Sequence, residues 1–402
     1  YLVRWGGTRK GAGTFYTRPG LAVPTVQRTL RPLAYNPPLN ADGQPDFDAP
    51  PAAWTPKLPE AILALKVCDI GCGSGSFPVA SLRFLTDALY MALHHHGRIT
   101  VDGEKAIARL LVMPSGNNTT SEERLIEELL PCRPDDDDFE RRTKAILRRH
   151  IVERCLYGVD IDPLAVELCR LSLWIETMDR TLPFSFLDHK IKCGNSLVGG
   201  WLDTFCHYPV MAWKNREGGD KGHTNGVHFT KEYRAKALKA FVKDRLTPDL
   251  RHFLDAPTLA FLEARKIETA TVHAEVLNVL ARLHKLPVYD SAQRARMYRE
   301  EILGSPGWRS LKAAMDLWCA CWFWPADALA DAPLPSTLAD PPPATRDIAA
   351  RIAADKHFFH WEIEFPDVFC ASGSGFDALV GNPPWETLQP NSMEFFSNID
   401  PL

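Results

Sequence analysis

Four short apolar runs stand out along the chain, Lys66 to Ile70, Cys155 to Asp160, His189 to Cys193 and Phe376 to Val380, and each predicts a buried strand. Each leads straight into small or polar residues, the position at which open parallel sheets place their ligands. Between the runs the pattern turns helical. Arg83 to His94, Ser121 to Leu130 and Phe139 to Arg154 separate the first two strands, with carboxylates from Asp135 to Asp138 expected to cap the last of these helices. Ala235 to Leu246, Thr269 to His284, Ser291 to Leu303 and Trp308 to Trp318 give helical patterns between the third and fourth strands. Proline-rich stretches from Pro37 to Pro59 and from Pro325 to Pro343 can be neither regular helix nor central strand, and they read as connectors. The pattern as a whole predicts one α/β sheet interrupted twice by helical excursions, with no internal repeat.

A chain of 402 residues, 45% of them hydrophobic, can bury at least one large core. It has no apolar run of the roughly 20 residues that a membrane helix needs, and its first residues lack the charged, apolar and small-residue regions of a signal peptide. A cytoplasmic location away from membranes is therefore expected. The ten cysteines are scattered. The close pair Cys319 and Cys321 lacks the spacing of a zinc site, so reduced, mostly buried thiols and no metal are expected. His94-His95-His96, beside Gly97, reads as a solvated helix end rather than a chelate.

The net charge of −4 argues against a surface that is basic throughout, but local basic faces remain. Arg4, Arg9, Lys10, Arg18, Arg28 and Arg31 all precede the first acidic residue, Asp42. A second basic stretch, from Lys231 to Arg245, fits a nucleic-acid face and a solvated helix face about equally well.

The first strand continues as Asp69-Ile70-Gly71-Cys72-Gly73-Ser74-Gly75-Ser76-Phe77, an acid followed by three alternating glycines. Glycines let a backbone approach a ligand closely, and the acid can hold an ammonium group. The dinucleotide fingerprint fails because its third glycine falls on Ser76, and no phosphate-binding Lys-Ser or Lys-Thr is present. The expected ligand has a cationic amino-acid end, as S-adenosylmethionine does. Asp160, closing the second strand, can accept from both ribose hydroxyls, with Ile161 against the adenine face. After the third strand Asn195, beside Ser196, can donate to and accept from the adenine edge.

The fourth strand ends in Gly381-Asn382-Pro383-Pro384-Trp385, the most specific signal in the chain. Consecutive prolines stiffen the turn and aim the Pro383 carbonyl. With the Asn382 side-chain oxygen it can accept both hydrogens of an exocyclic amine, turning a delocalised lone pair into a nucleophile. Trp385 offers a flat face on which a base can stack. A plain turn beside a buried tryptophan is the bland alternative.

With these motifs in order, the chain resembles the gamma-class N6-adenine DNA methyltransferases, and is similar to the large methylases of type IIG restriction-modification and of BREX- and DISARM-type phage defence. Gly13-Thr14-Phe15-Tyr16-Thr17 looks like the family's opening motif, and Phe358 to Trp361 and Phe365 to Phe369 look like its lead-in to the catalytic strand. The resemblance implies a doubly wound, Rossmann-like methyltransferase sheet with helical insertions. It implies a cofactor site of Thr14, Tyr16, Thr17, Asp69, Gly71, Gly73, Gly75, Phe77, Asp160, Ile161, Asn195 and Ser196, with Asn382, Pro383, Pro384 and Trp385 as the catalytic tetrad. S-adenosylmethionine would be the cofactor and double-stranded DNA the partner, with other defence-system subunits as further candidates. Adenine N6 of a flipped base would be methylated. The implied division is 1–35 for a basic segment with the opening motif, 36–200 for the cofactor-binding part, 201–355 for a helical insertion and 356–402 for the catalytic strand and loop.

Trp385 departs from the family's more frequent Tyr or Phe, which preserves stacking but alters the fit around the base. The family has further strands and a target-recognition domain beyond this point, so the sheet is expected to be incomplete here and the chain to be a piece of a longer polypeptide. The competing readings are the same chemistry on a protein glutamine or an RNA guanine amine, and a non-catalytic methylase-like DNA-binding subunit. The opening motif and the large insertions weigh against the first, and intact Asp69, Asp160 and Asn382 against the second. Pro366-Asp367 lacks a following Glu-x-Lys, so a nuclease role gains little support.

Overall fold

The computed structural model describes residues 17–103, 105–112, 124–178, 187–205, 207–214, 237–255, 258–286, 290–369 and 374–382. Among the described residues nine strands form three sheets. A small antiparallel pair joins β1 (Tyr35–Asn36) to β2 (Thr55–Pro56). The strand β3 (Val67–Asp69) is followed by a three-stranded antiparallel sheet of β4 (Ile99–Asp102), β5 (Lys105–Val112) and β6 (Arg124–Leu129). The strands β7 (Leu156–Asp160), β8 (Ile191–Cys193) and β9 (Ala378–Leu379) join β3 in a parallel sheet of order β8-β7-β3-β9. All four predicted strands are thus present in one sheet, and because they run parallel, their following loops share one end of it.

The chain divides into two compact units. The first comprises residues 1–196, 276–303 and 365–382, and the second 197–275, 304–364 and 383–402. In the first unit the helices α1 (Pro19–Ala34) and α2 (Pro59–Ala64) pack on α3 (Ser76–His95), and α3, α4 (Phe139–Cys155) and α5 (Pro163–Thr177) pack on the parallel sheet. The core draws Leu82, Leu85 and Leu89 from α3, Leu147 and Ile151 from α4, and Val166 and Leu173 from α5. The helix α1 lies within the basic opening stretch and was not anticipated. Ala22, Val26, Leu30 and Ala34 recur at four-residue spacing and are buried, while Pro24 and Pro32 inside the helix hide that periodicity. Among the described residues no helix is long and apolar enough to cross a membrane.

Two local expectations fail. The segment predicted as helix from Ser121 to Leu130 contains β6, which pairs with β5 in the register Leu110↔Ile126 and Ala108↔Glu128. Its run of Glu, Arg and Leu favours a helix, but Ala106, Ala108 and Leu110 of β5 bury every second residue, and pairing outweighs weak local propensity. Nor do the aspartates cap α4. Asp138 stands at its N-cap without a side-chain cap bond, Asp136 instead accepts from the Arg133 N–H at 2.8 Å, and Asp138 accepts from Arg141 at 3.1 Å.

Within the second unit the helix Pro306–Ala320 packs on the helix Pro343–Lys356, and Trp213, Phe241, Leu317, Trp324 and Phe358 fill its core. The Phe358 to Trp361 lead-in clamps the segment that follows β8. Phe359 N–H donates to the Val198 carbonyl at 2.9 Å. His360 Nδ1 accepts from Gly200 N–H at 2.9 Å, which leaves Nε2 to donate to Asp316 at 3.0 Å. A Cβ on Gly199 would lie 1.8 Å from the Phe359 carbonyl oxygen, so the backbones must separate for any larger residue. Gly199→Ala is expected to lower the stability of the second unit by about 1–3 kcal/mol, read as an earlier chemical-denaturation midpoint. An unchanged midpoint would show that this approach is not tight.

Among the described residues the cysteines are all free. Cys68, Cys72, Cys155, Cys169, Cys319 and Cys321 are buried, Cys132 is half-buried and Cys193 exposed.

Candidate functional site

Asp69 closes β3 with its carboxylate turned into the protein and 3% exposed. Its Oδ1 accepts from the Gly71 N–H at 3.1 Å. Burial raises its carboxyl to about 7, the Gly71 hydrogen bond opposes that rise, and the neighbouring Asp160 charge adds to it.

The glycine loop is tied down along one side and open along the other. Cys72 N–H donates to the Val159 carbonyl at 3.0 Å, and Gly73 N–H donates to Asp160 Oδ2 at 2.8 Å. Gly73 and Gly75 have φ of +51° and +96°, the left-handed region where a Cβ is costly. A Cβ on Gly75 would also sit 3.1 Å from Cys169 Sγ on α5, whereas one on Gly71 or Gly73 would meet nothing within 4 Å. The glycines therefore do two jobs. Gly75 lets the loop seat on α5, and Gly71 and Gly73 leave a cradle. Phe77, in the first turn of α3, is buried in the core.

The other strand ends meet this loop. Asp160 Oδ1 accepts from Asp162 N–H at 2.9 Å, so each of its carboxylate oxygens holds one backbone donor and keeps a lone pair. Ile161 is 39% exposed beside it, a large apolar side chain left open at a strand end. Gly194 N–H donates to the Asp160 carbonyl at 2.8 Å, which brings the half-buried Asn195 and Ser196 to the same end of the sheet.

The fourth strand arrives by a short ladder. Val67 pairs with Ala378 and Cys68 with Leu379, and Val380 N–H donates to the Cys68 carbonyl at 2.9 Å. The next residue, Gly381, runs against the acid, for a Cβ there would lie 2.7 Å from Asp69 Oδ1. Asn382 follows, exposed. The close approach of Gly381 to Asp69 is the contact that sequence reasoning missed, although a glycine between a buried strand and Asn-Pro-Pro was a visible signal. Thr17 is buried. Thr14, Tyr16, Pro383, Pro384 and Trp385 lie outside the described residues.

A buried acid raised toward neutrality beside an open glycine cradle suits a ligand with a positive charge and a close-lying polar chain. At the same end of the sheet lie the Asp160 carboxylate, the half-buried Asn195 and the exposed Ile161.

Comparison with known proteins points the same way. Residues 154–236 match the Eco57I restriction-modification methylase family, a span that holds β7, α5 and β8 with Asp160, Ile161, Asn195 and Ser196. A protein of Methanocaldococcus jannaschii named as a type II restriction enzyme and methyltransferase is 42% identical over 62 residues, 13% of this chain. The matched part is 5% of that relative's length, so the chain spans only a small piece of it. No solved structure matches. The segment carrying the second and third strand ends is thus similar to part of that methylase family, which supports a restriction-modification methylase reading.

Proposed function

We propose that this chain is the cofactor-binding and acceptor-gripping part of a DNA adenine-N6 methyltransferase, built on a doubly wound Rossmann-like sheet with helical insertions and working in cytoplasmic restriction-modification or phage defence. The observation that supports the reading is the close approach of Gly381 to Asp69, with Asn382 as the next residue of the chain. On this reading residues 36–200 would be the cofactor-binding part, 356–402 the catalytic strand and loop, and 201–355 a helical insertion.

S-adenosylmethionine supplies a methyl group already activated by its positive sulfur. Asp69 would hold the cofactor's ammonium end, Asp160 its ribose, and Asn195 with Ile161 its adenine, while Thr17 would contact the methionine carboxylate and Thr14 and Tyr16 would belong to the same site. Asn382 and the Pro383 carbonyl accept the two N6 hydrogens and orient the lone pair, and Trp385 stacks on the ring. A base inside a duplex cannot reach this turn, so the adenine is flipped out. Positioning provides much of the acceleration, with no covalent intermediate on the protein.

The test is transfer of radiolabelled methyl from S-adenosylmethionine by the full-length protein to defined DNA, RNA and protein acceptors. Label in N6-methyladenine is expected, and label in RNA guanine or protein glutamine instead would overturn the proposal.

Cofactor affinity should also depend on pH. Below about 7 the free Asp69 carboxyl is protonated, and an ammonium ligand favours its ionised form, so binding then releases a proton. Affinity should rise as pH increases from about 5.5 to about 7, with a slope near one in log K per pH unit. Titration calorimetry in buffers of different ionisation heats checks this, and the slope should vanish in Asp69→Asn. A flat profile in the unaltered protein would remove Asp69 as the ammonium partner.

A further inference from the structure

At the opposite end of the sheet a buried polar cluster has no part in the site just described. The Tyr157 hydroxyl on β7 donates to Asp367 Oδ2 at 2.6 Å, and Lys190 Nζ, just before β8, lies 3.0 Å from the same oxygen and 2.7 Å from the Tyr157 hydroxyl. The ammonium also sits 4.0 Å from the centre of the Tyr157 ring. Tyr157 and Lys190 are each 1% exposed. On the reading of Asn382 as the residue that grips the acceptor, we propose that Asp367 is a positioning residue that fixes the catalytic turn from the far end of the sheet.

The need for such an anchor follows from how little holds β9. Its ladder to β3 has two paired positions, and at its start Lys66 N–H donates to Asp377 Oδ2 at 2.7 Å. A strand with so short a ladder is weakly registered, and a slip of one residue would turn every following side chain to the other face. Asp367 counters this by holding the lead-in to the two strands that carry Asp160 and Asn195.

Aromatic packing carries the constraint forward to β9. Phe376, two residues before β9, lies 5.3 Å from Tyr157, 6.1 Å from Phe365 and 5.6 Å from Phe369, ring centre to ring centre. Phe365 meets Tyr157 at 5.1 Å. The carboxylate and the rings thus grip the lead-in on both sides of Asp367, and Phe376 hands that grip to the strand.

The charges are matched as such an anchor requires. Burial pulls the Lys190 ammonium down to about 8, partly offset by Asp367. Asp367 is held well below the usual carboxylate range by Lys190 and by Lys66, against burial, which acts the other way. The pair is therefore ionised near neutrality.

The test uses Asp367→Asn in the full-length protein, with Tyr157→Phe as the milder second variant because it keeps the ring and removes one donor. Amide exchange at Ala378 and Val380 should rise about tenfold or more in Asp367→Asn, and less in Tyr157→Phe, while Cys72 and Gly75 exchange as before. Methyl transfer should lose about tenfold or more in kcat, with cofactor Kd changed by less than about threefold. Unchanged exchange at Ala378 and Val380 would overturn the anchor, as would a uniform rise over the whole sheet or a parallel loss of cofactor affinity and folded fraction. A selective exchange effect in a protein whose unaltered form methylates none of the acceptors would instead remove the methyltransfer reading and leave the anchor standing.

Discussion

Asn382→Ala in the full-length protein should abolish measurable methyl transfer to DNA, a loss of about 10²–10³ in kcat or more, while the cofactor Kd stays within about threefold. The separation follows from where the residues sit. Cofactor contacts are proposed for Asp69 on β3, Asp160 on β7 and Asn195 after β8, whereas Asn382 is exposed beyond the end of β9. Its side chain is proposed to bond an amine whose nitrogen becomes tetrahedral only as the methyl is transferred, so its removal raises the barrier rather than weakening the resting complex. Filter binding of radiolabelled DNA measures the first quantity and calorimetry the second. Transfer at the unaltered rate would refute the acceptor role of Asn382, and loss of both quantities together would make it a structural residue.

The largest stability effect is expected at Glu153. This residue of α4 is 5% exposed, and its Oε1 takes hydrogen bonds from Arg294 and, at 2.9 Å, from His189 Nε2, with His284 Nε2 at 3.9 Å. Ligand atoms of Glu153, His189 and His284 lie within 4.8 Å of one another, the spacing of a metal centre. The guanidinium already neutralises that carboxylate, however, and Arg294 also donates to the Leu283 and Leu286 carbonyls at 2.9 and 3.2 Å. Burial holds both histidines well below their ordinary range, so neither competes as a cation. The cluster is an ion-pair knot tying the segment 276–303 to α4.

Glu153→Leu leaves Arg294, 1% exposed, as a buried charge without its counterion, and should cost about 3–5 kcal/mol. Combining it with Arg294→Met replaces the pair by apolar groups of similar size and should restore most of that loss. Denaturant unfolding of the two single variants and the double variant measures the coupling. A double variant as unstable as the worse single one would refute the ion-pair account, and a zinc-dependent rise in the midpoint of the unaltered protein would favour a metal centre in its place.

The parallel sheet was legible because its strands are unbroken apolar runs ended by Gly, Asp or Asn, so local composition and turn chemistry agree. The short ladder of β9 was legible for the same reason, in Ala378-Leu379-Val380 before Gly381. The strand β6 was not, since the residues from Glu122 to Leu130 favour a helix and its pairing with β5 is invisible along the chain. The knot at Glu153 was hidden more deeply, for its partner Arg294 lies 141 positions away in a segment that reads only as a helical pattern. The contact of Gly381 with Asp69 combines both cases, because the glycine could be seen but the distant carboxylate it must clear could not.

The sheet also imposes an order of events during synthesis. Lys66, at the start of β3, bonds Asp377, at the start of β9, across 311 positions. At about 5–20 residues added per second, the ribosome delivers the last strand many seconds after the first. Until then the emerging polypeptide has its cradle but nothing opposite it, with one flank of β3 bare and apt to pair with a stray strand. Nascent chains are therefore expected to depend on chaperone cover late in translation, and a cofactor captured early would wait harmlessly until the grip arrived.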